Sequence, residues 1–472
     1  VLRYSLVNAQ DSFNVTAMAY HSEGNSTNQI AQRAVDNHLI SRFDSLDPSD
    51  GSDTSRYSLS GAWQHTWGNS VTKANLYAIY NTLDLFSNFT YFLDDPIHGD
   101  QFEQSDNRVT TALNVSHTWL TNWGGYGMEN TAGIQLQNDN IFVGLNKTEK
   151  RQLLSVVRFD HVVESSGGVY FENGMRWFDK FRTVAGIRTD FYRFQVNSDN
   201  PANSGTVYDH ITNPKLSLIF GPWAKTEYFI NMGGGFHSND ARGTTITTVP
   251  GNGPDANLPA QKVTPLVRSK GYEVGGRTTM IPGLRSSLSF YLLDFDSELV
   301  FQGDAGTTSP GRPSRRIGFE FANFYTLTPW LTIEADIAYA KARFTAPDPD
   351  PTVKGDYIPG AVEGVGSLSV AVDNLGAFFG SLQLRYLGPR PLVEDNSVRS
   401  SATTLLNGHV GYKITKNSAI MLEGLNLLNS KVSNIEYFYT SRLPGEPAGG
   451  VADKHFHPIE PLTFRLSVMY YL

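Results

Sequence analysis

The segment LTFRLSVMYYL, residues 462–472, decides the fold. Successive side chains of an extended chain point to opposite faces. Leu462, Phe464, Leu466, Val468, Tyr470 and Leu472 therefore share one face, and Thr463, Arg465 and Ser467 share the other. The same zigzag recurs in Leu331, Ile333, Ala335, Ile337 and Tyr339 against Thr332, Glu334 and Asp336, and in Phe378, Leu382, Leu384 and Tyr386 against Ser381, Gln383 and Arg385. A charged row behind an apolar row needs two different environments. A soluble sandwich also alternates, but its strands run to about 5 or 6 residues. These zigzags run to about 10 or more, the length of a tilted bilayer crossing.

The connections between zigzags carry as much information as the zigzags. Short turns are expected at Ala9–Ser12, Gly68–Ser70, Phe178–Lys180, Gly221–Ala224, Ile281–Gly283, Thr328–Trp330, Asp373–Gly376 and Ile414–Asn417. Long polar connections fall between them, at 24–53, 93–107, 138–165, 197–209, 238–265, 302–312, 345–356, 389–399 and 428–454. Short turns on one side and long loops on the other form the outer-membrane barrel pattern. The reading is an all-β, transmembrane antiparallel β-barrel of about 19 strands.

Composition agrees. The 472 residues include no cysteine, which excludes disulfide scaffolds and thiolate chemistry. Aromatic residues make up 12% and charged residues only 18%, which suits alternating strands better than a soluble surface. A net charge of -8 argues against a nucleic-acid partner. The sequence contains no apolar run long enough for a membrane helix, so any crossing is by strands. The chain opens on Val1 already in a strand-like pattern, and a leader and N-terminal portion are expected upstream.

Several segments also carry a family likeness: NSTNQIAQRAV from Asn25, LISRFDSLDPSDGSDTSRYSLSG from Leu39, LDLFSNFTYFLDDPIHGDQFEQSD from Leu83, GGGFHSNDARGTT from Gly233, ELVFQGDAGTTSPGRPSRRIGFEFANFY from Glu298, YIPGAV from Tyr357 and GLNLLNSKV from Gly424. Jointly they resemble the barrel domain of TonB-dependent receptors across essentially the whole chain, 1–472. The resemblance implies a monomeric 22-stranded barrel in the bacterial outer membrane, occluded by an N-terminal plug. A TonB-contacting box precedes the plug in that family. About 19 strands against 22 places some three strands upstream with the plug. The implied partners are outer-membrane lipid, TonB and a small-molecule or metal-chelate ligand, with no cofactor. Such barrels often finish on Phe, whereas this chain ends on Leu472, which keeps an apolar terminal residue.

The candidate ligand contacts are His237, Asn239, Asp240 and Arg242, in GGGFHSNDARG, where a strand should leave the membrane and open into a long outer loop. The competing reading is that the glycines bend the strand at the rim while the polar residues satisfy the loop. His455 and His457 flank Phe456 at metal-ligand spacing, but no third ligand is identifiable, so a solvated loop edge is the expectation and no metal is assigned. Asp47, Asp50 and Asp53 lack the alternating calcium-loop spacing and read as a solvated turn. Asp94, Asp95, Asp100, Glu103 and Asp106 form an acidic outer loop able to steer a cationic ligand, or serving only solubility. HExxH, GxSxG and P-loop motifs are absent from any usable context, and Glu334 and Asp336 read as lumen-facing, so no enzyme is inferred. The alternatives in view are a passive porin or adhesin-like barrel without a plug, and a soluble all-β carbohydrate-binding or hydrolytic protein.

Overall fold

The computed structural model describes residues 1–251, 256–298, 300–302, 307–309 and 311–470. Tyr471 and Leu472, expected to finish the last zigzag, lie outside the described residues, as does the middle of the loop expected at 302–312.

One 19-stranded antiparallel sheet accounts for the wall. Its strands are Leu2–Val7, Asp11–Asn25, Gly51–Trp67, Ser70–Ser87, Phe102–Trp123, Tyr126–Glu149, Gln152–Phe178, Phe181–Ser198, Gly205–Trp223, Thr226–Ser238, Leu266–Thr278, Leu284–Phe295, Ser314–Thr328, Leu331–Phe344, Gly364–Leu375, Phe378–Leu387, Thr403–Thr415, Ser418–Leu425 and Thr463–Tyr470. Each pairs with the strand before and after it, in a continuous meander. Among the described residues, Leu2–Val7 pairs only with Asp11–Asn25, and Thr463–Tyr470 only with Ser418–Leu425, so the sheet is open between them.

Register carries the zigzag from strand to strand. Leu466 lies opposite Leu422, and Leu422 opposite Val410. Farther round, Leu384 faces Leu368, Tyr339 faces Phe319, Val274 faces Ile230, Leu136 faces Leu113 and Leu113 faces Leu76. The intervening residues pair equally well: Glu423 with Arg465, Glu273 with Asn231, Asn114 with Asn75. Two belts result, one apolar and one polar. The apolar belt is the open one: Leu466 is 65% exposed and Val468 76% exposed, while Ser467 between them is more shielded. The greasy rows do not pack against one another in a dry centre, as a soluble sandwich would require. They cover the convex side and belong against lipid.

Connections at 8–10, 68–69, 124–125, 179–180, 224–225, 279–283, 329–330, 376–377 and 416–417 are short, and they alternate with those of the opposite end. Gly124 and Gly125, a turn not anticipated from sequence, both adopt positive φ (58° and 89°), as a two-residue hairpin turn demands. One expectation is corrected. The stretch 138–165 is not a long loop: Tyr126–Glu149 and Gln152–Phe178 continue through it, joined by Lys150 and Arg151 at φ 49° and 65°. Alternation persists there because Ile141, Val143 and Val162 still have a surface to pack against. These strands of 24 and 27 residues are more than twice the roughly 9–11 residues a crossing needs. The hairpin therefore stands tall above the membrane.

An arginine placed at Leu76, outward and near mid-strand, is expected to cost about 2–4 kcal/mol of folding stability in lipid vesicles. Asn75→Arg, one residue away on the polar face, should cost less than about 0.5 kcal/mol. Denaturant unfolding of the two variants measures both, and equal costs would contradict the assignment of faces.

Candidate functional site

The outer mouth is built from loops that fold toward one another. The strand Thr226–Ser238 pairs with Gly205–Trp223 only as far as Gly233 opposite Lys215. Above that it keeps its other neighbour, Leu266–Thr278, and leaves the wall. Glycine makes the departure possible: a Cβ at Gly234 would stand 2.8 Å from Asn213 Oδ1 and 3.5 Å from Asn213 Cα.

The four predicted ligand residues sit at the end of this peeled strand. His237 is its penultimate residue, and its Nε2 is buried with no hydrogen-bond partner among the described residues. Asn239 is buried; its backbone N–H donates to Pro265 O at 2.9 Å and its Nδ2 to Thr264 O at 2.5 Å, while its Oδ1 has no partner among the described residues. Asp240 caps the short helix Ala241–Thr245 by accepting from the Arg242 N–H, and forms an ion pair with the Arg242 guanidinium at 2.6 Å. Burial works against the charge on Asp240, yet Arg242 outweighs it and holds the carboxyl below the usual carboxylate range. The structure thus brings these residues together, with Asp240 and Arg242 spent largely on each other.

The helix Ala241–Thr245 turns inward. Ala241 packs with Ile141, Val162, Phe194, Val196, Ile211 and Leu266. The alternation that sends Leu136, Val169, Phe191 and Tyr208 outward sends Ile141, Val162, Phe194 and Ile211 to the inner face. Higher on that face, toward the hairpin tip, the Arg158–Asp160 ion pair is almost wholly buried, and its charges act on Asp240 and Arg242. Sequence gave no hint of this pair, because nothing local distinguishes it from any other charged zigzag.

A second group of loops, 26–50, 88–101 and 426–462, forms an outer cap. Ile30–Ala31, Val451–Pro458 and Ser433–Ser441 make a small three-stranded sheet. Arg33 Nε donates to Glu446 at 2.7 Å, and its guanidinium also reaches Asp453 and Ser441. That charge holds the Glu446 carboxyl below its usual range. His455 is fully buried; its Nε2 lies 2.7 Å from Ser441 Oγ, its ring stacks on Tyr439 at 3.8 Å, and burial pushes its imidazole down to about 4. The solvated edge expected for His455 is thus corrected, because the cap closes over it.

Gln101 joins the cap to the tall hairpin. Its Nε2 donates to Ser49, Asp47 and Asp50, and its Oε1 accepts from Thr148 and the Arg151 N–H. The solvated turn expected at Asp47–Asp53 is corrected here too: Asp50 is 2% exposed. In the acidic loop, Asp100 is occupied by the backbone N–H groups of Leu93, Asp94 and Asp95, and Asp95 caps Ile97 and His98. Glu103 and Asp106 belong to the wall strand Phe102–Trp123.

With this geometry in hand, residues 2–429 match the family described as TonB dependent receptor-like, beta-barrel. The chain belongs to that family. It is an outer-membrane protein of Gram-negative bacteria and a transport receptor barrel rather than an enzyme. No curated protein sequence matches it. Among solved structures, the unliganded ferric citrate transporter FecA superposes with a TM-score of 0.76 at 14% identity, covering 98% of this chain and 68% of FecA. The siderophore receptor PiuA from Acinetobacter baumannii gives 0.76 at 11%, over 99% and 73%. The ferric-catecholate import receptor Fiu from E. coli K12 gives 0.72 at 14%, over 98% and 72%. At such identities the likeness is one of fold.

Burial, with Asp47 beside it, pushes Asp50 up to about 7. Because the folded value lies above the unfolded one, Asp50 favours the closed loop fully below about pH 4, and that contribution is lost as pH rises through about 7. Amide exchange in 88–101, corrected for intrinsic rate, should therefore accelerate between about pH 5 and 8, and Asp50→Asn should remove this dependence. An unchanged pH dependence in the variant would refute the assignment.

Proposed function

We propose that this chain is the wall and outer mouth of a receptor that takes up an iron chelate of the siderophore type, energised through TonB. The observation that carries the reading is the mouth itself, where the helix Ala241–Thr245 packs onto the inner wall and His237 Nε2 and Asn239 Oδ1 beside it are buried without a hydrogen-bond partner among the described residues. A ligand bearing donors and acceptors would satisfy them. His237, Asn239, Asp240 and Arg242 are accordingly assigned to ligand contact. Family membership and the iron-chelate receptors among the structural neighbours support the class of cargo.

The same reading assigns a plug and about three further strands to the complete receptor, filling the gap between Leu2–Val7 and Thr463–Tyr470 and making the strand number even. A monomer suffices, since barrel closure leaves no edge to share.

The test is uptake of radiolabelled iron by cells producing the full receptor, across a panel of ferric chelates. At least one chelate should accumulate, and accumulation should stop when TonB is deleted. His237→Ala combined with Asn239→Ala should weaken binding of that chelate by about tenfold or more. Uptake that persists without TonB would replace this reading with a passive pore.

A further inference from the structure

On its outward face the wall turns acidic just above the aromatic level. Tyr57 and Tyr80 stack there with ring centroids 6.4 Å apart, at the height where barrels place their interfacial girdle. The alternation that points Tyr57 and Tyr80 outward also points His21, Glu23, Asp53 and Asp84 outward. Register sets Glu23 directly opposite Asp53, and Asp53 directly opposite Asp84. Glu103 stands diagonally beyond, opposite Phe86. Like charges directly opposite one another weaken strand pairing. Among the described residues no lysine or arginine forms a salt bridge with any of these four carboxylates.

Among the described residues, the basic group paired with the row is an imidazole. His21 Nδ1 lies 3.0 Å from Ser55 Oγ and 3.6 Å from Asp53 Oδ1. One ligand atom from each of His21, Glu23 and Asp53 lies within 4.8 Å of the other two. The three side chains converge from two neighbouring strands, so the rigid wall holds their spacing. They are open on the solvent side: the side chains of His21 and Asp53 are 56% and 49% exposed.

We propose that His21, Glu23 and Asp53 bind a divalent transition-metal cation such as Zn2+ on the outer surface of the wall. Two carboxylates and an imidazole supply three ligands, and the open side leaves room for water or a headgroup oxygen. The imidazole favours borderline ions over Ca2+ and Mg2+, which prefer oxygen alone. The bound charge offsets the carboxylate row and relieves its cross-strand repulsion. This site lies outside the lumen and does not depend on the proposed cargo.

Zn2+ titrated calorimetrically into the detergent-solubilised chain near pH 7.5 should bind at about one equivalent. His21→Gln with Asp53→Asn should raise the Kd by at least about tenfold, while His65→Gln should leave it unchanged. Affinity should fall as the pH is lowered, because protons compete with Zn2+ for the ligand atoms. Heat-modifiable electrophoretic mobility reports whether each variant is folded, and His21→Gln alone serves if the double variant is not. Absence of Zn2+ binding up to about 1 mM, parent-like affinity in the folded His21 variant, or displacement of Zn2+ by equal Ca2+ would overturn the proposal.

Discussion

Hydrocarbon offers no water to a backbone N–H or C=O, and each such group left unpaired there costs several kcal/mol. Lateral strand pairing is therefore the constraint on which the rest of the structure depends. It explains why 18 successive strand pairs run without interruption and why the connections cross over only at the two ends. It also propagates side-chain direction. Once Leu466 faces outward, register hands that direction to Leu422 and Val410, and so on around the wall. A slip of one residue at any pair would turn an entire polar row toward lipid.

Above the membrane the constraint relaxes, and other interactions decide the shape. Strands that continue upward keep alternating, and apolar residues now also occupy the inner face, where Ile141, Val162 and Phe194 are covered by a loop helix. Charges that would be costly alone are paired and hydrogen-bonded. Arg33 with Glu446, Arg242 with Asp240 and Arg158 with Asp160 each hold a loop or wall segment in place. Removing one member of such a pair leaves the other buried and uncompensated, so the pairs act as locks more than as sources of net stability.

This division determines what sequence could reveal. The wall was legible because a period of two is local: any ten residues contain it. The alternation of short and long connections was legible for the same reason, apart from the turn at Gly124 and Gly125, and the reading of about 19 strands agrees with the 19 of the wall sheet. The tall hairpin was misread because polar residues such as Asn138 and Asn140 look like loop when the inward partners that make them strand are contributed from elsewhere. In the mouth, the glycine bend at 233–235 was visible, and polar residues satisfying the loop were one of two readings, but no sequence signal specified Asp240 as the cap of its own helix. Arg33 and Glu446, 413 positions apart, and Gln101, which ties 26–50 to the hairpin tip, carry no signal that neighbouring residues could supply. Burial of His455 was hidden for the same reason.

The central claim is that the apolar belt faces lipid and the polar belt an enclosed interior. Because the chain has no cysteine, single cysteines can be placed along Ser70–Ser87 and spin-labelled without background. In reconstituted bilayers, labels at positions 74, 76, 78 and 80 should collide preferentially with oxygen dissolved in lipid, and labels at 73, 75, 77 and 79 with a water-soluble nickel chelate, giving two alternating profiles in opposite phase. Profiles in phase with each other, with the apolar positions shielded from both probes, would contradict it.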